Sequence, residues 1–164
     1  MATQNLLQRL DAAADTTGSS VNASDRRIEE VFIASEAIAA GDFVTLDLEK
    51  SADSDKALYV KKLNSGGTIT SLCVGVAIAA ASAADDNIRI CVRGMISANV
   101  ATGVAQADRL VASSTGGRAE VAPEFLTVTG GAGAGTKVQQ KHIVAIAVSA
   151  ESGNAATVYV LPNF

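Results

Sequence analysis

The sequence predicts a mainly β protein, a compact barrel or sandwich of short antiparallel strands, with an internal duplication and an N-terminal arm that carries one short helix. Three observations lead there. Apolar residues alternate with polar ones in short runs, the period of half-buried strands. Turn signals separate those runs, with 14 Gly against 2 Pro in 164 residues. A strand, turn and strand pattern also occurs twice in the same order along the chain.

The fullest example of the pattern is Leu72 to Ile96, LCVGVAIAAASAADDNIRICVRGMI. An apolar run from Leu72 to Ala81 leads through a polar break, Ser82 to Asn87, into a clean alternation from Ile88 to Ile96. On the second arm Ile88, Ile90, Val92, Gly94 and Ile96 share one face, and Arg89, Cys91, Arg93 and Met95 the other, so that arm reads as half buried and half wet. The first arm sets Cys73, Gly75, Ala77 and Ala79 opposite Leu72, Val74, Val76 and Ile78. Side chains that small imply neighbours close against both faces, so this is the expected central strand.

In chain order, residues 1–27 read as an arm and linker and residues 28–164 as a single β-rich domain. Leu6, Leu7, Leu10 and Ala14 keep helical spacing, so Asn5 to Asp15 forms a short amphipathic helix with Asn5 as its cap. A helix that short is marginal alone and must dock on something. Thr16 to Ser24 has a linker's composition; a disordered tail is the alternative reading of the whole piece. Ile28, Val31, Phe32 and Ser35 keep helical spacing while Val31-Phe32-Ile33 has strand composition, and the segment is read as a strand from Glu29 to Ser35; further strands are expected from Phe43 to Glu49 and from Ala57 to Leu63. Ala40-Gly41-Asp42 is a tight turn between the first two, Ser51 to Lys56 a polar loop, and Asn64 to Gly67 a turn. After the central hairpin come strands at Asp108 to Ala112, Arg118 to Ala122, Phe125 to Thr129, His142 to Ser149 and Ala156 to Leu161. Gly116-Gly117, the glycines from Gly130 to Gly135, and Gly153-Asn154 punctuate them.

The duplication rests on two matches. IAAGDFVTL from Ile38 resembles VAQADRLVA from Val104: an apolar residue, Ala, a spacer, Gly or Ala, Asp, a spacer, then an apolar residue. VGVAIAAASAADDNIRICV from Val74 resembles VAIAVSAESGNAATVYV from Val144. Asp42 to Asp108 is a step of 66 residues and Val74 to Val144 a step of 70, so the matches keep their order at nearly one displacement. In each copy the apolar residue before the turn plugs the core, the turn reverses the chain, and the next strand pairs back. The strands Val74 to Ala80 and Val144 to Ala150 should therefore occupy equivalent places.

Composition narrows function. A formal charge of −4 argues against a nucleic-acid protein, whose footprint is a basic stripe; Arg26-Arg27 and Lys61-Lys62 are isolated pairs. No stretch reaches the roughly 20 apolar residues of a membrane span. The polar start lacks the basic and apolar regions of a signal peptide, so synthesis in a cytoplasm is expected. The residues are 48% hydrophobic but only 4% aromatic, and an Ala and Val core stabilises less per ordered residue than one of Leu and Phe. A neighbouring subunit or partner surface would offset that.

Chemical motifs are lacking. GGAGAGTKV from Gly130 has the glycine separation of a phosphate loop, but Thr136-Lys137 stand in reverse order and no βαβ context surrounds them; a surface loop fits better. One histidine, His142, and two cysteines give no zinc spacing. Asp53-Ser54-Asp55 and Asp85-Asp86-Asn87 lack the Gly and distal Glu of a calcium-binding hand and read as solvated turns. Cys73 and Cys91 lie symmetrically about Ser82, so a register pairing them is conceivable, although two buried thiols fit better. No catalytic residue, metal site or cofactor is expected, and the chain does not read as an enzyme.

Ile38 to Val44, then Val74 to Ala77 with its Ala-rich continuation, then Ile90 to Gly94 resemble the small bacteriophage head proteins known as capsid decoration or cement proteins. The likeness covers roughly residues 30 to 161, in pattern and composition rather than in an invariant motif. It implies a β-rich domain on the outside of an assembled icosahedral capsid, bound to the major capsid protein, often as a trimer or dimer. Extended N-terminal arms in that family can reach across neighbouring subunits, which makes Leu6, Leu7 and Leu10 the candidate capsid-contact residues. The long polar arm and the Gly130 loop depart from the pattern. Another virion part, such as a tail or fibre-base subunit, has the same composition, and a small-molecule binding module is the third class.

Overall fold

Nine strands and one turn of helix make up the described residues, 27–64, 73–122 and 142–161, of a computed structural model. They are β1 (Ile28–Ala34), β2 (Phe43–Leu46), α1 (Asp53–Lys56), β3 (Tyr59–Lys62), β4 (Cys73–Ala77), β5 (Asn87–Asn99), β6 (Arg109–Ala112), β7 (Ala119–Val121), β8 (Ile143–Ala147) and β9 (Ala155–Val160). The N-terminal helix, Leu6, Leu7 and Leu10, the strand expected at Phe125 to Thr129, and the Gly130 loop lie outside the described residues.

The strands run in the order β1-β3-β2-β4-β5, and β1 pairs back onto β5 to close a five-stranded barrel. Only the β1–β3 pairing in it is parallel. β5 is 13 residues long and serves twice. From Asn87 to Arg93 it lines β1; from Gly94 to Asn99 it pairs with β9 and begins a second sheet, β5-β9-β8-β6-β7. A parallel bridge between Val100 and Ala119 brings that sheet back onto itself. The fold is thus mainly β with a closed barrel, as the alternation and turn signals predict.

Its two halves repeat one ladder. Phe43, Val44 and Thr45 face Val76, Gly75 and Cys73, with a bulge between Val44 and Thr45. Arg109, Leu110 and Val111 face Ile146, Ala145 and Ile143, with a bulge between Leu110 and Val111. The turns before them match as well: the Asp42 Oδ2 accepts the Ala39 N–H at 3.0 Å and the Asp108 Oδ2 accepts the Ala105 N–H at 2.7 Å. The apolar residues ahead of those turns, Ile38 and Val104, are both buried. β4 and β8 therefore hold equivalent places. So do β1 and the second half of β5, since Ala34 pairs parallel with Val60 as Val100 does with Ala119. The Ala34 N–H donates to the Asp86 carbonyl and the Val100 N–H to the Asn154 carbonyl, each at 2.9 Å.

β4 is central, buried along its whole length between β2 and β5. At Gly75 a Cβ would lie 2.2 Å from the Cys91 carbonyl oxygen, which is why a small residue stands there. Three expectations need correction. β2 ends at Leu46 rather than Glu49, because the Asp47 carboxylate accepts the Ser35 hydroxyl at 2.7 Å and the Glu49 N–H at 3.2 Å and turns the chain. Ser51 to Lys56 is not all loop: α1 forms with Asp53 and Asp55 in its first turn and a 2.8 Å ion pair from Lys56 to Asp53. The half-wet face of β5 is buried at Cys91, under the second half of the molecule.

Candidate functional site

The joint between the halves gathers polar groups that neither half needs alone. Asp42 is buried at the end of the tight turn before β2. Its Oδ1 accepts the Asn99 side-chain amide at 2.8 Å, and that amide also reaches the Ala40 carbonyl at 3.2 Å. The Asn99 backbone N–H donates to the Gly41 carbonyl at 2.8 Å. Gly117, from the loop after β6, accepts the Phe43 N–H at 2.8 Å and donates to the Leu63 carbonyl at 2.7 Å. It sits at φ +77°, where a Cβ would lie 2.7 Å from the Asp42 Cγ, so glycine is required on both counts. Both Asp42 carboxylate oxygens have donors, Oδ1 from Asn99 and Oδ2 from the Ala39 N–H, so the joint ties the two halves together.

Other carboxylates of the first half are held by hydrogen bonds of their own turns. The Asp47 carboxylate is desolvated, yet its bonds from the Ser35 hydroxyl and the Glu49 N–H, with the Lys61 charge, hold it below the usual range. Asp86 is held low by the Ala83 N–H and by the hydroxyl and N–H of Ser82. The Tyr59 hydroxyl donates to Asp85 at 3.1 Å. The Asp85-Asp86-Asn87 loop is thus the expected turn, exposed at Asp85, whereas Asp53-Ser54-Asp55 lies in α1. Among the described residues no three His, Cys, Asp or Glu side chains gather as a metal set. His142 lies exposed just before β8.

The cysteines do not form the conceivable pair. In the β4–β5 register Val76 faces Cys91 and Ala77 faces Ile90, so Cys73 lies three residues beyond its symmetric partner, and both thiols are free of disulfide. Burial pushes the Cys73 thiol up to about 12 and raises Cys91 as well. Neither supplies thiolate at neutral pH.

The chain's outer surface is more informative than its interior. Among the described residues Ile28, Val31, Leu58, Val121 and Ile146 are large apolar side chains exposed to solvent. None was legible as a surface position, because exposure on a barrel depends on which wall another element covers. Asn99 and Gly117 carry the joint without any local motif; only the isolated Gly116-Gly117 pair signalled a tight turn there.

No family model matches the chain, and no curated protein matches it. Among solved structures it is similar to the head fibre gp8.5 N base of bacteriophage phi29, with a TM-score of 0.51 and 11% sequence identity over 82% of this chain and 94% of that one. At that identity the likeness is one of fold.

Proposed function

We propose that this chain is a structural protein of a bacteriophage virion that binds the outer surface of an assembled capsid and stabilises it, as a decoration or cement protein. One observation carries the reading: the described fold resembles a phage head fibre base across most of both chains. The sequence pattern, which resembles head decoration proteins, adds independent support. Its partner is the major capsid protein, and it acts as a homo-oligomer on the capsid exterior, with no nucleic acid, membrane, cofactor or catalysis involved. Binding only the assembled shell would shift assembly equilibria towards that shell and raise the force or temperature needed to open it.

The base of a head appendage is the second reading, favoured by the likeness in fold to a head fibre base. Both readings put the chain on a phage head and differ in copy number and position. Co-sedimentation of the purified full chain with assembled heads, and with free capsid subunits, tests the shared claim; retention on heads alone is expected, and no retention overturns it. Gold labelling of bound protein on particles then separates a lattice-wide coat from a few attachment points. Deleting residues 1–27 should lower retention if Leu6, Leu7 and Leu10 anchor the arm, and unchanged retention removes them from the contact.

A further inference from the structure

Among the described residues the two halves meet head to tail, and this arrangement leaves one open surface at each end. In the first barrel Phe43, Leu63, Cys73, Val76 and Cys91 are outward-facing residues that the second half covers; they belong to one packed cluster with its interior. The matching residues of the second half, read from the repeated ladders, are Arg109, Ala122, Ile143, Ile146 and Tyr159. Call this the second wall: Arg109 and Ile146 on it are exposed. The covering surface also has a counterpart. Gly94, Ile96 and Gly117 lie where the second half meets the first, and the residues in their places in the first barrel are Ile28, Glu30 and Leu58, all exposed.

We propose that a second copy of this chain docks on the second wall through the Ile28, Glu30 and Leu58 end of its first barrel, continuing between chains the contact already made within one. Three observations favour a second copy over any other occupant. The contact has an intramolecular precedent in the same ladder. Three of the five large apolar side chains exposed among the described residues lie on these two surfaces, Ile28 and Leu58 on one and Ile146 on the other. Charge is complementary too. Ile96 packs on the joint and Phe43 is buried in it, whereas their counterparts are Glu30 and Arg109, an acid on one open surface and a base on the other. Ile146 lies opposite Tyr159, and Tyr159 opposite Met95, so the second wall carries the Tyr, Met and Arg composition in which protein interfaces are enriched. Because the two surfaces differ, the contact is heterologous: it builds a ring when its rotation closes and a filament when it does not, never a two-fold dimer.

The test mixes two variants of the full chain, Ile146→Glu on the wall and Leu58→Glu on the opposite end, and reads mass by analytical ultracentrifugation. Wild type is expected to be oligomeric and each variant alone monomeric at the same concentration. An equimolar mixture is expected to give a capped 1:1 dimer, since one intact wall and one intact end remain. A monomeric wild type, a Leu58→Glu protein that still assembles, or a mixture that stays monomeric overturns the proposal; the second of these would mark an isologous contact. Should either variant lose its cooperative thermal transition, Arg109→Glu and Glu30→Arg replace them, and combining both reversals in one chain must restore assembly. Capsid retention is measured separately, so failure here leaves the virion reading standing.

Discussion

Position by position the two halves share a ladder but not their side chains. Phe32, Leu46, Val60 and Ile88 face the interior of the first, where Ala98, Ala112, Ala119 and Ala156 stand in the second. Each lost methylene gives up about 0.8 kcal/mol of burial, so the second half could not be as stable on its own residues. The first barrel's outer wall makes up the difference: Phe43, the largest fully buried side chain described, packs in the cluster that forms the second interior. The first barrel, filled by its own Phe32, Ile38 and Ile88, receives no such help. A duplicated ladder therefore does not imply duplicated stability, and the second half depends on the first through one shared wall.

The sharpest way to break that comparison is to empty the joint. Phe43→Ala should cost about 3–5 kcal/mol in urea unfolding, and hydrogen exchange should show the amides of β6, β8 and β9 losing protection more than those of β1 and β3. Its counterpart Arg109→Ala, on the exposed wall, should stay within about 0.5 kcal/mol. Equal costs at the two positions would mean that the second half fills its own core.

Acid should separate the halves next. Glu29 is held low by the Arg89 guanidinium, against the cost of burial and with help from Arg27; Asp47 and Asp86 are low for the reasons above. All three lie in the first barrel, and their places in the second are taken by Met95, Ser113 and Asn154, which do not titrate in this range. A carboxylate whose folded pKa is lowered contributes stability that is present above its ordinary value and lost as pH falls through the folded one. Those ordinary values are 4.5 for Glu and 3.8 for Asp. Exchange protection should therefore fall first in β1 to β4 as pH drops below about 4. Uniform loss across both halves would show that shared β5 makes the two unfold as one unit.

How much of this was legible follows from the range of each interaction. The turn at Ala40-Gly41-Asp42, its echo at Asp108 and the small-residue strand around Gly75 are local, and periodicity with turn chemistry finds them. The capture of Asp47 by Ser35 depends on β1 lying beside β3, so the end of β2 could not be read from Phe43 to Glu49 alone. The burial of Cys91 depends on the second half of the molecule. The counterpart of β1 is not legible because IEEVFIA and GMISANV share almost no pattern; one is a separate strand and the other the tail of β5. The joint of Asp42, Asn99 and Gly117 joins residues far apart in sequence and has no motif. The arm residues Leu6, Leu7 and Leu10 remain a sequence expectation.

The smallest expected effect tests the equivalence of the two turns themselves. Gly41 sits at φ +85° and Ala107, its counterpart, at φ +72°. Both donate their N–H across the turn in the same way, Gly41 to the Ala77 carbonyl at 2.8 Å and Ala107 to the Ala147 carbonyl at 2.9 Å. A left-handed backbone costs a residue with a Cβ roughly 1–2 kcal/mol, whereas glycine gives up part of that gain through the freedom of its unfolded chain. Ala107→Gly should therefore stabilise the protein by about 0.5–1 kcal/mol, and Gly41→Ala should destabilise it by a similar or larger amount. The second case is worse because a Cβ at Gly41 would lie 3.2 Å from Asn99, a side chain already fixed in the joint. Chemical unfolding of both single variants measures this. A destabilising Ala107→Gly would mean that the second turn relaxes to a different backbone, and the echo at Asp108 would then be one of sequence and pairing but not of turn conformation.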